Sequence, residues 1–237
     1  MKNVHTIALI IPALNEEVAL EKLLAELPAQ VVDHVIVVDN GSTDATPRVA
    51  QEAGARVVNE PIRGYGRACW SGSCAAKTLQ ADILVFMDGD GSDNPTDLEL
   101  MLQPVLDDQA DFVIGSRVGP LAERGAVPPQ ARLGNWLVSR VIGLRYGLPL
   151  HDVGSFRVIR SSVLDLLQMS EMTFGWPVEM LAKTAQSGYR IVELPLHYRR
   201  RQHGRSKVAG TLSGSIRAAY LMLRTTARYV GKRRTYA

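Results

Sequence analysis

Short β-branched and apolar runs alternate along the first half of the chain with segments whose apolar positions recur at helical spacing. The runs fall at residues 6–11, 34–38, 56–58, 82–87 and 111–114, and amphipathic segments separate the first four. This alternation predicts an α/β fold with a largely parallel, buried sheet. Leu20, Leu23, Leu24 and Leu27 stand at i, i+3, i+4 and i+7, one helix face that Pro28 closes. A second helix is expected from Thr43 or Asp44 to Gly54, and a third carries both cysteines. A fourth is announced by Asn94 as cap, Pro95 at the first helical position and Asp97 in the first turn.

Between Gly115 and Pro129 the periodicity dissolves into Gly, Pro and charge, which predicts a surface loop near the carboxyl ends of the strands, where α/β sheets bind ligands. From Arg132 on, the pattern predicts helices and two further strands, near 155–159 and 190–198. A last helix, 208–230, places Leu212, Ile216, Ala219, Tyr220, Leu223, Ala227 and Val230 on one side. Arg217, Arg224 and Arg228 form an adjacent stripe, and Lys232, Arg233 and Arg234 follow.

The 237 residues suffice for one α/β domain, and 46% apolar with 22% charged residues fits a globular protein rather than a disordered or fibrous one. No run reaches roughly 18 consecutive apolar residues, and the first residues show no cleavable leader, so neither a membrane span nor export is expected. A cytoplasmic location follows. Cys69 and Cys74, five apart in one helix, suit neither a zinc site nor a disulfide framework and are expected to be reduced, buried and inert.

The net charge of +3 hides an asymmetry: after Glu193 there is no acidic residue, while eleven of the 27 Lys and Arg lie there, leaving 16 − 24 = −8 on the rest. A basic tail on an acidic body points to an anionic partner. For the last helix, an apolar face with Arg and no acid predicts a helix lying in a membrane interface, peripheral on the inner face. A helix packed on the domain with a solvated basic edge is the other reading.

Candidate chemistry begins where the hydrophobic run Val85-Phe86-Met87 ends in Asp88-Gly89-Asp90. Mg²⁺ or Mn²⁺ takes one or two carboxylates and fills its shell with water and phosphate oxygens, a demand that Asp88 and Asp90 meet at a strand end. The small Gly89 leaves room for a ligand. An ordinary Asp-rich turn is the alternative. IPALNEE (11–17) and VVDNGSTDAT (37–46) stand at the ends of the first two strands, so all three segments converge on one sheet edge.

In this order and spacing IPALNEE, VVDNGSTDAT and MDGDGSDNP (87–95) resemble the nucleotide-sugar half of family 2 inverting glycosyltransferases. The resemblance runs on through GYGRA (64–68), IGSR (114–117), DVGSFR (152–157) and RQHGRSK (201–207), and within the family is greatest to the dolichyl-phosphate and polyprenyl-phosphate sugar transferases. It implies a GT-A fold, a Rossmann-like three-layer sandwich over 1–207, with 208–237 as a basic amphipathic helix and tail.

The resemblance implies that Pro12, Ala13, Asn15 and Glu16 line the nucleotide pocket, that Asp39 accepts hydrogen bonds from the base, and that Gly64 and Gly66 let the backbone pass close to donor or helix. Asp88, Gly89 and Asp90 would hold the metal and diphosphate. Asn15 or Glu16 capping the first helix and Asp44 the second is the bland alternative. Arg117 and Arg132 are candidates for the acceptor phosphate, and Arg201 with Lys207 for a basic loop that neutralises the leaving diphosphate. A hydroxyl acceptor needs a base, for which Asp152 is the first candidate and Glu179 the second; Asp152 orienting Arg157 is the alternative.

Two departures from the family pattern stand out: Asn40 replaces a second Asp, and Gly154-Ser155 reverses the usual Ser-Gly. The expected reaction is metal-dependent inverting transfer of a hexose from a nucleotide-sugar, of the GDP-mannose or UDP-glucose type, to a polyprenyl or dolichyl phosphate. A soluble hydroxyl acceptor is the alternative and a non-catalytic nucleotide or nucleic-acid binding module a remote one. A nucleic-acid partner is not expected, since the basic region interleaves few aromatics beyond Tyr198, Tyr220 and Tyr229.

Overall fold

The computed structural model describes residues 5–201 and 212–230, with side chains from 218 in the last segment. Lys207, Lys232, Arg233 and Arg234, and the side chains of Leu212, Ile216 and Arg217, lie outside the described residues. The chain runs β1 (Ile7–Ala13), α1 (Glu17–Ala25), β2 (His34–Asp39), α2 (Thr46–Glu52), β3 (Arg56–Asn59), α3 (Tyr65–Thr78), β4 (Ile83–Phe86), α4 (Leu98–Leu106) and β5 (Phe112–Ser116). It continues through α5 (Pro129–Tyr146), β6 (Arg157–Arg160), α6 (Ser161–Leu167), α7 (Trp176–Gln186), β7 (Ile191–Pro195) and α8 (Leu212–Val230).

The strands form one sheet in the order β3-β2-β1-β4-β6-β5-β7. All neighbours pair in parallel except β6, which is antiparallel to both β4 and β5. The expectation of a mainly parallel sheet in three layers holds. On one face α1, α2 and α4 cover Ile7, Leu9, Ile11, Val37 and Val85. On the other α3, α5, α6 and α7, with Tyr229 of α8, cover Ala8, Ile10, Ile36, Val38, Leu84 and Phe86. Because successive strand residues point to opposite faces, β1 is apolar on both and reads as a continuous run. A fully buried Leu or Ile contributes about 1.5–3 kcal/mol.

Strand register places the site. Ala13 pairs with Asp39 and Asp39 with Asn59. β4 pairs with β1 up to Ile10↔Phe86. Asp88 follows two residues later and comes alongside the end of β1. Pro12 is tolerated because it stands beyond the last pair with β4. The fourth helix begins as expected: the Asn94 side chain accepts from Thr96 N at 3.3 Å, and a single 3₁₀ turn, Pro95–Asp97, leads into α4.

One expectation is corrected. Cys69 is buried but Cys74 is exposed, since five residues on a helix rotate a side chain by about 140° to the far side. The described part of α8 packs on the domain, against α5 and α7, through Ala218, Thr225, Thr226 and Tyr229. Its apolar positions Ala219, Tyr220, Leu223 and Ala227 face outward instead. Threonines serve on the inner side because the Thr226 hydroxyl donates to Met222 O at 2.8 Å within the helix.

The tie between α8 and α7 is Glu179. Its fully buried carboxylate accepts from Tyr229 OH at 2.6 Å, Ser170 Oγ at 2.7 Å and the Ser170 and Glu171 amides, and pairs with Lys183 at 2.8 Å. Burial pushes this carboxyl upward, but Lys183, Tyr229 and the amides hold it below the ordinary glutamate range. A hydrogen bond to a charged acceptor contributes about 2 kcal/mol. Tyr229→Phe is therefore expected to lower the unfolding free energy in urea by about that amount, whereas the exposed Tyr220→Phe leaves it unchanged.

Candidate active site

The loops after β1 and β2 are knitted together by exchanged caps. Asn15 takes a left-handed backbone, φ 51°, which Asn tolerates better than most residues. Its side-chain oxygen accepts from Thr43 N at 2.7 Å, while Ser42 Oγ accepts from Asn15 N at 2.9 Å. Thr46 Oγ1 accepts from Glu16 N at 2.8 Å and the Asp44 carboxylate from Glu17 N at 3.3 Å, so the start of α1 is capped from the second loop. Glu17 in return accepts from Ala45 N at 2.9 Å, before α2. Glu16, at the N-cap of α1, makes no cap bond with its own side chain.

Asp39, at the end of β2, is buried and accepts from Ser42 N at 3.1 Å. Asn40 holds the next loop: its amide donates to Glu60 O and Ile62 O, each at 2.9 Å, and its oxygen accepts from Gly64 N at 2.8 Å. Two carbonyls and one N–H demand an amide, which explains why Asn stands here. Gly64 and Gly66 face the backbone of residues 171–172, where a Cβ would collide with Met172 O and Glu171 O respectively. The close approach is thus to the protein's own chain. Gly89 likewise packs against the end of β1, where a Cβ would lie 3.1 Å from Ile11 and 3.3 Å from Pro12 O.

Beyond β4 the chain gathers three carboxylates. Asp88 is the deeper of the predicted pair and accepts hydroxyls of Ser155 and Tyr65. Burial and the neighbouring Asp90 push its carboxyl up to about 6. Asp90 is more open: one oxygen accepts from Ser92 N at 3.0 Å and the other lies 3.4 Å from the Arg201 guanidinium. Asp93, almost fully buried, accepts from Asp88 N at 3.1 Å and from Ser155 Oγ at 3.4 Å. Burial, then the charge of Asp88, raises its carboxyl well above the ordinary range. Burial and the closeness of like groups are thus the causes of both upward shifts.

Two arginines face this charge. Arg117 follows β5 directly and is gripped by Asp152: Nε to Oδ2 at 2.8 Å, Nη2 to Oδ1 at 2.9 Å, and backbone N to Oδ2 at 3.0 Å. Burial raises the Asp152 carboxyl, but the charge and hydrogen bonds of Arg117 hold it below the usual range. Asp152 thus orients Arg117 rather than Arg157, which is buried and donates to Gly154 O and Pro177 O, both at 2.6 Å. Arg201 is delivered by the segment after β7, which lies along the acidic run. His197 N donates to Asp97 at 2.8 Å, Tyr198 bridges Asp93, and Arg199 N donates to Ser92 O at 2.8 Å. Arg201 then pairs with Glu16 and Asp90.

The structure therefore brings together Glu16, Asp88, Asp90, Arg117, Asp152 and Arg201, with Pro12, Ala13, Asn15 and Asp39 at the neighbouring strand ends. Arg132 is exposed in the first turn of α5, and none of the described hydrogen bonds joins its side chain to this cluster. Glu179 belongs to the α7–α8 tie. Sequence reasoning missed Tyr65, Asp93, Ser155 and Tyr198. Asp93 lies in the same acidic run as Asp88 and was open to detection, but the other three reach the cluster only through folding. The Gly154-Ser155 reversal has a steric side as well: a Cβ on Gly154 would run into Gly115 O, and Ser155 supplies the hydroxyl that Asp88 and Asp93 share.

A divalent cation suits this donor set. Asp88 and Asp90 offer hard oxygens, and a guanidinium already lies against Asp90. Among the described residues no group of three or more His, Cys, Asp and Glu forms a complete cage, so water and phosphate oxygens would complete the shell.

Residues 8–167 match the family model described as Glycosyl transferase family 2. An uncharacterised glycosyltransferase of Mycobacterium tuberculosis is 41% identical over 210 residues, covering 89% of this chain and 93% of that one. The undecaprenyl-phosphate mannosyltransferase of Micrococcus luteus is 32% identical over 235 residues, covering 94% and 96%. In fold, the chain is similar to the crystal structure of glucosyl-3-phosphoglycerate synthase from Mycobacterium tuberculosis in complex with Mn²⁺, UDP-glucose and phosphoglyceric acid. The TM-score is 0.76 at 24% identity, over 97% of this chain and 81% of that one. The architecture is thus the GT-A fold.

Asn40→Asp turns a carboxylate toward two carbonyls, and is expected to lower stability by about 3 kcal/mol in thermal or urea unfolding. Asp152→Asn separates the two roles weighed for that residue. If it positions Arg117, the KM for acceptor rises about ten-fold or more while the donor KM and the shape of the pH profile stay. A base would instead show a kcat loss of about 10²–10⁴ and a missing acidic limb.

Proposed function

The chain belongs to glycosyl transferase family 2 and is a glycosyltransferase, and from that premise we propose that it transfers a hexose from a nucleotide-sugar of the GDP-mannose or UDP-glucose type to a polyprenyl or dolichyl phosphate. The observation that carries this reading is the state of the two carboxylates considered as bases. Both Asp152 oxygens are taken by Arg117, and Glu179 is taken by Lys183, Tyr229 and backbone amides. Neither is suited to take a proton from a hydroxyl. A phosphate acceptor brings its own negative oxygen and needs no base. The mannosyltransferase relative, named for undecaprenyl phosphate, supports the same class of acceptor.

In this reading Pro12, Ala13, Asn15, Glu16 and Asp39 hold the nucleotide on the β1–β2 side. Asp88 and Asp90 would hold Mg²⁺ or Mn²⁺, whose charge neutralises the diphosphate as it departs. Arg117, pre-aimed by Asp152, binds and orients the acceptor phosphate for attack at the anomeric carbon, with Arg132 as its partner at the start of α5. Arg201 leaves Asp90 for the donor diphosphate, and Lys207 joins it as a second cation on the leaving group. Among the described residues no helix is long and apolar enough to cross a membrane. The lipid acceptor is reached from the cytoplasmic side, with the C-terminal helix in contact with the membrane surface.

The test supplies GDP-mannose or UDP-glucose with Mn²⁺ or Mg²⁺ and a short polyprenyl phosphate in detergent, and follows both free nucleoside diphosphate and organic-extractable sugar. Both products are expected, both vanish with excess chelator, and Asp90→Ala lowers kcat by about 100-fold or more. Undiminished turnover in chelator overturns the metal, and transfer only to soluble hydroxyl compounds overturns the lipid phosphate.

A further inference from the structure

α5 is apolar on two sides. Its inner face buries Val138, Ile142 and Tyr146, which accounts for one of them. On the other side Leu133, Trp136, Leu137 and Leu144 are 66%, 51%, 42% and 79% exposed. Positions 133, 137, 140 and 144 fall at i, i+4, i+7 and i+11, so Arg140 lies within this stripe. A helix at the surface of a globular protein ordinarily turns polar residues outward. α5 has no acidic residue anywhere in its length.

α8 lies beside α5. Tyr146 OH donates to Tyr229 O and Arg145 Nε to Val230 O, both at 3.2 Å, which pins the carboxyl ends of the two helices together. α8 also lacks acidic residues, and its outward side exposes Tyr220 and Leu223 beside Arg224 and Arg228, the last lying 3.8 Å from Glu171.

We infer that the outward faces of α5 and α8 form a docking surface for an anionic lipid bilayer. Exposed leucines enter the boundary of the acyl region, Trp and Tyr suit the interface because one part of each ring system is apolar and another polar, and arginine meets lipid phosphate. Charge decides the occupant. A second copy packed symmetrically on this face would set arginine against arginine, whereas an anionic bilayer complements every charged group on the two stripes. In the chain, α5 follows the loop that begins at Arg117. The docking surface does not depend on the identity of the acceptor.

The experiment is co-sedimentation of the full chain with vesicles of phosphatidylcholine alone or mixed with phosphatidylglycerol, without polyprenyl phosphate or donor. Binding is expected on the mixed vesicles and about ten-fold weaker on phosphatidylcholine or in high salt. Replacing Leu133, Trp136 and Leu144 together by Ser is expected to weaken binding at least about ten-fold with the melting temperature unchanged. Arg140→Ala with Arg224→Ala weakens only the salt-sensitive part. Equal binding by the Ser variant and the parent overturns the inference, as does equal binding to both vesicle types. A parent that scatters as a dimer, and a Ser variant that scatters as a monomer, with no vesicle binding by either, assigns the face to self-association instead. Vesicle binding by a chain that fails the separate transfer assay with polyprenyl phosphate would reject the acceptor and leave the surface standing.

Discussion

Three carboxylates within six residues, Asp88, Asp90 and Asp93, repel one another at the end of β4, and the surrounding residues are arranged around that repulsion. Like charges a few ångströms apart cost on the order of several kcal/mol near a protein surface. Hydroxyls of Tyr65, Ser155 and Ser92 take up part of the charge. Arg117 and Arg201 take up more, but the first is already committed to Asp152 and the second is shared with Glu16. Among the described residues both cations are therefore shared, and a divalent cation bound to Asp88 and Asp90 would ease the repulsion that remains.

Its two sides are built differently. On the side of β1 and β2 the exchanged caps, Thr46 and Asp44 onto the start of α1 and Glu17 before α2, make two loops into one rigid shelf. On the side of β5 and β6 rigidity comes from the Arg117–Asp152 pair and from the contact of Gly154 with Gly115. Arg201 belongs to neither side. It arrives on a strip of chain laid along the acidic run, and its guanidinium joins Glu16 to Asp90.

Strand and helix periodicity was legible in the sequence because the sheet is buried on both faces, and apolar runs such as Ile7-Ala8-Leu9-Ile10-Ile11 have no other explanation. The acidic run, Asp39 and Arg117 were legible as residue types at strand ends. What was not legible depended on partners far apart in the chain. Asp152 could be matched to an arginine but not to Arg117 rather than Arg157. Gly64 and Gly66 read as a close pass to donor or helix and Gly89 as room for a ligand, yet the first two clear the backbone of residues 171–172 and the third packs on Ile11 and Pro12. Which side of α8 meets the domain was not legible, because the inward residues Ala218, Thr225, Thr226 and Tyr229 do not form an apolar pattern. Thr226 and Tyr229 have their polar atoms answered, by Met222 O and Glu179, and so pack inward at little cost.

The charge asymmetry of the chain then acquires a direction. Through Glu193 the balance is 16 − 24 = −8, whereas the residues after it carry eleven positive charges and no negative ones. A uniformly acidic domain would be repelled from an anionic surface, and a uniformly basic one would adhere in any orientation. Here α5 is a basic, acid-free helix within the acidic part, and α8 packs against it. Attraction and repulsion therefore act on different sides of one body and turn it as well as hold it. On the proposed function, the acidic β1, β2 and β4 loops would then take the nucleotide-sugar while α5 and α8 hold the lipid surface.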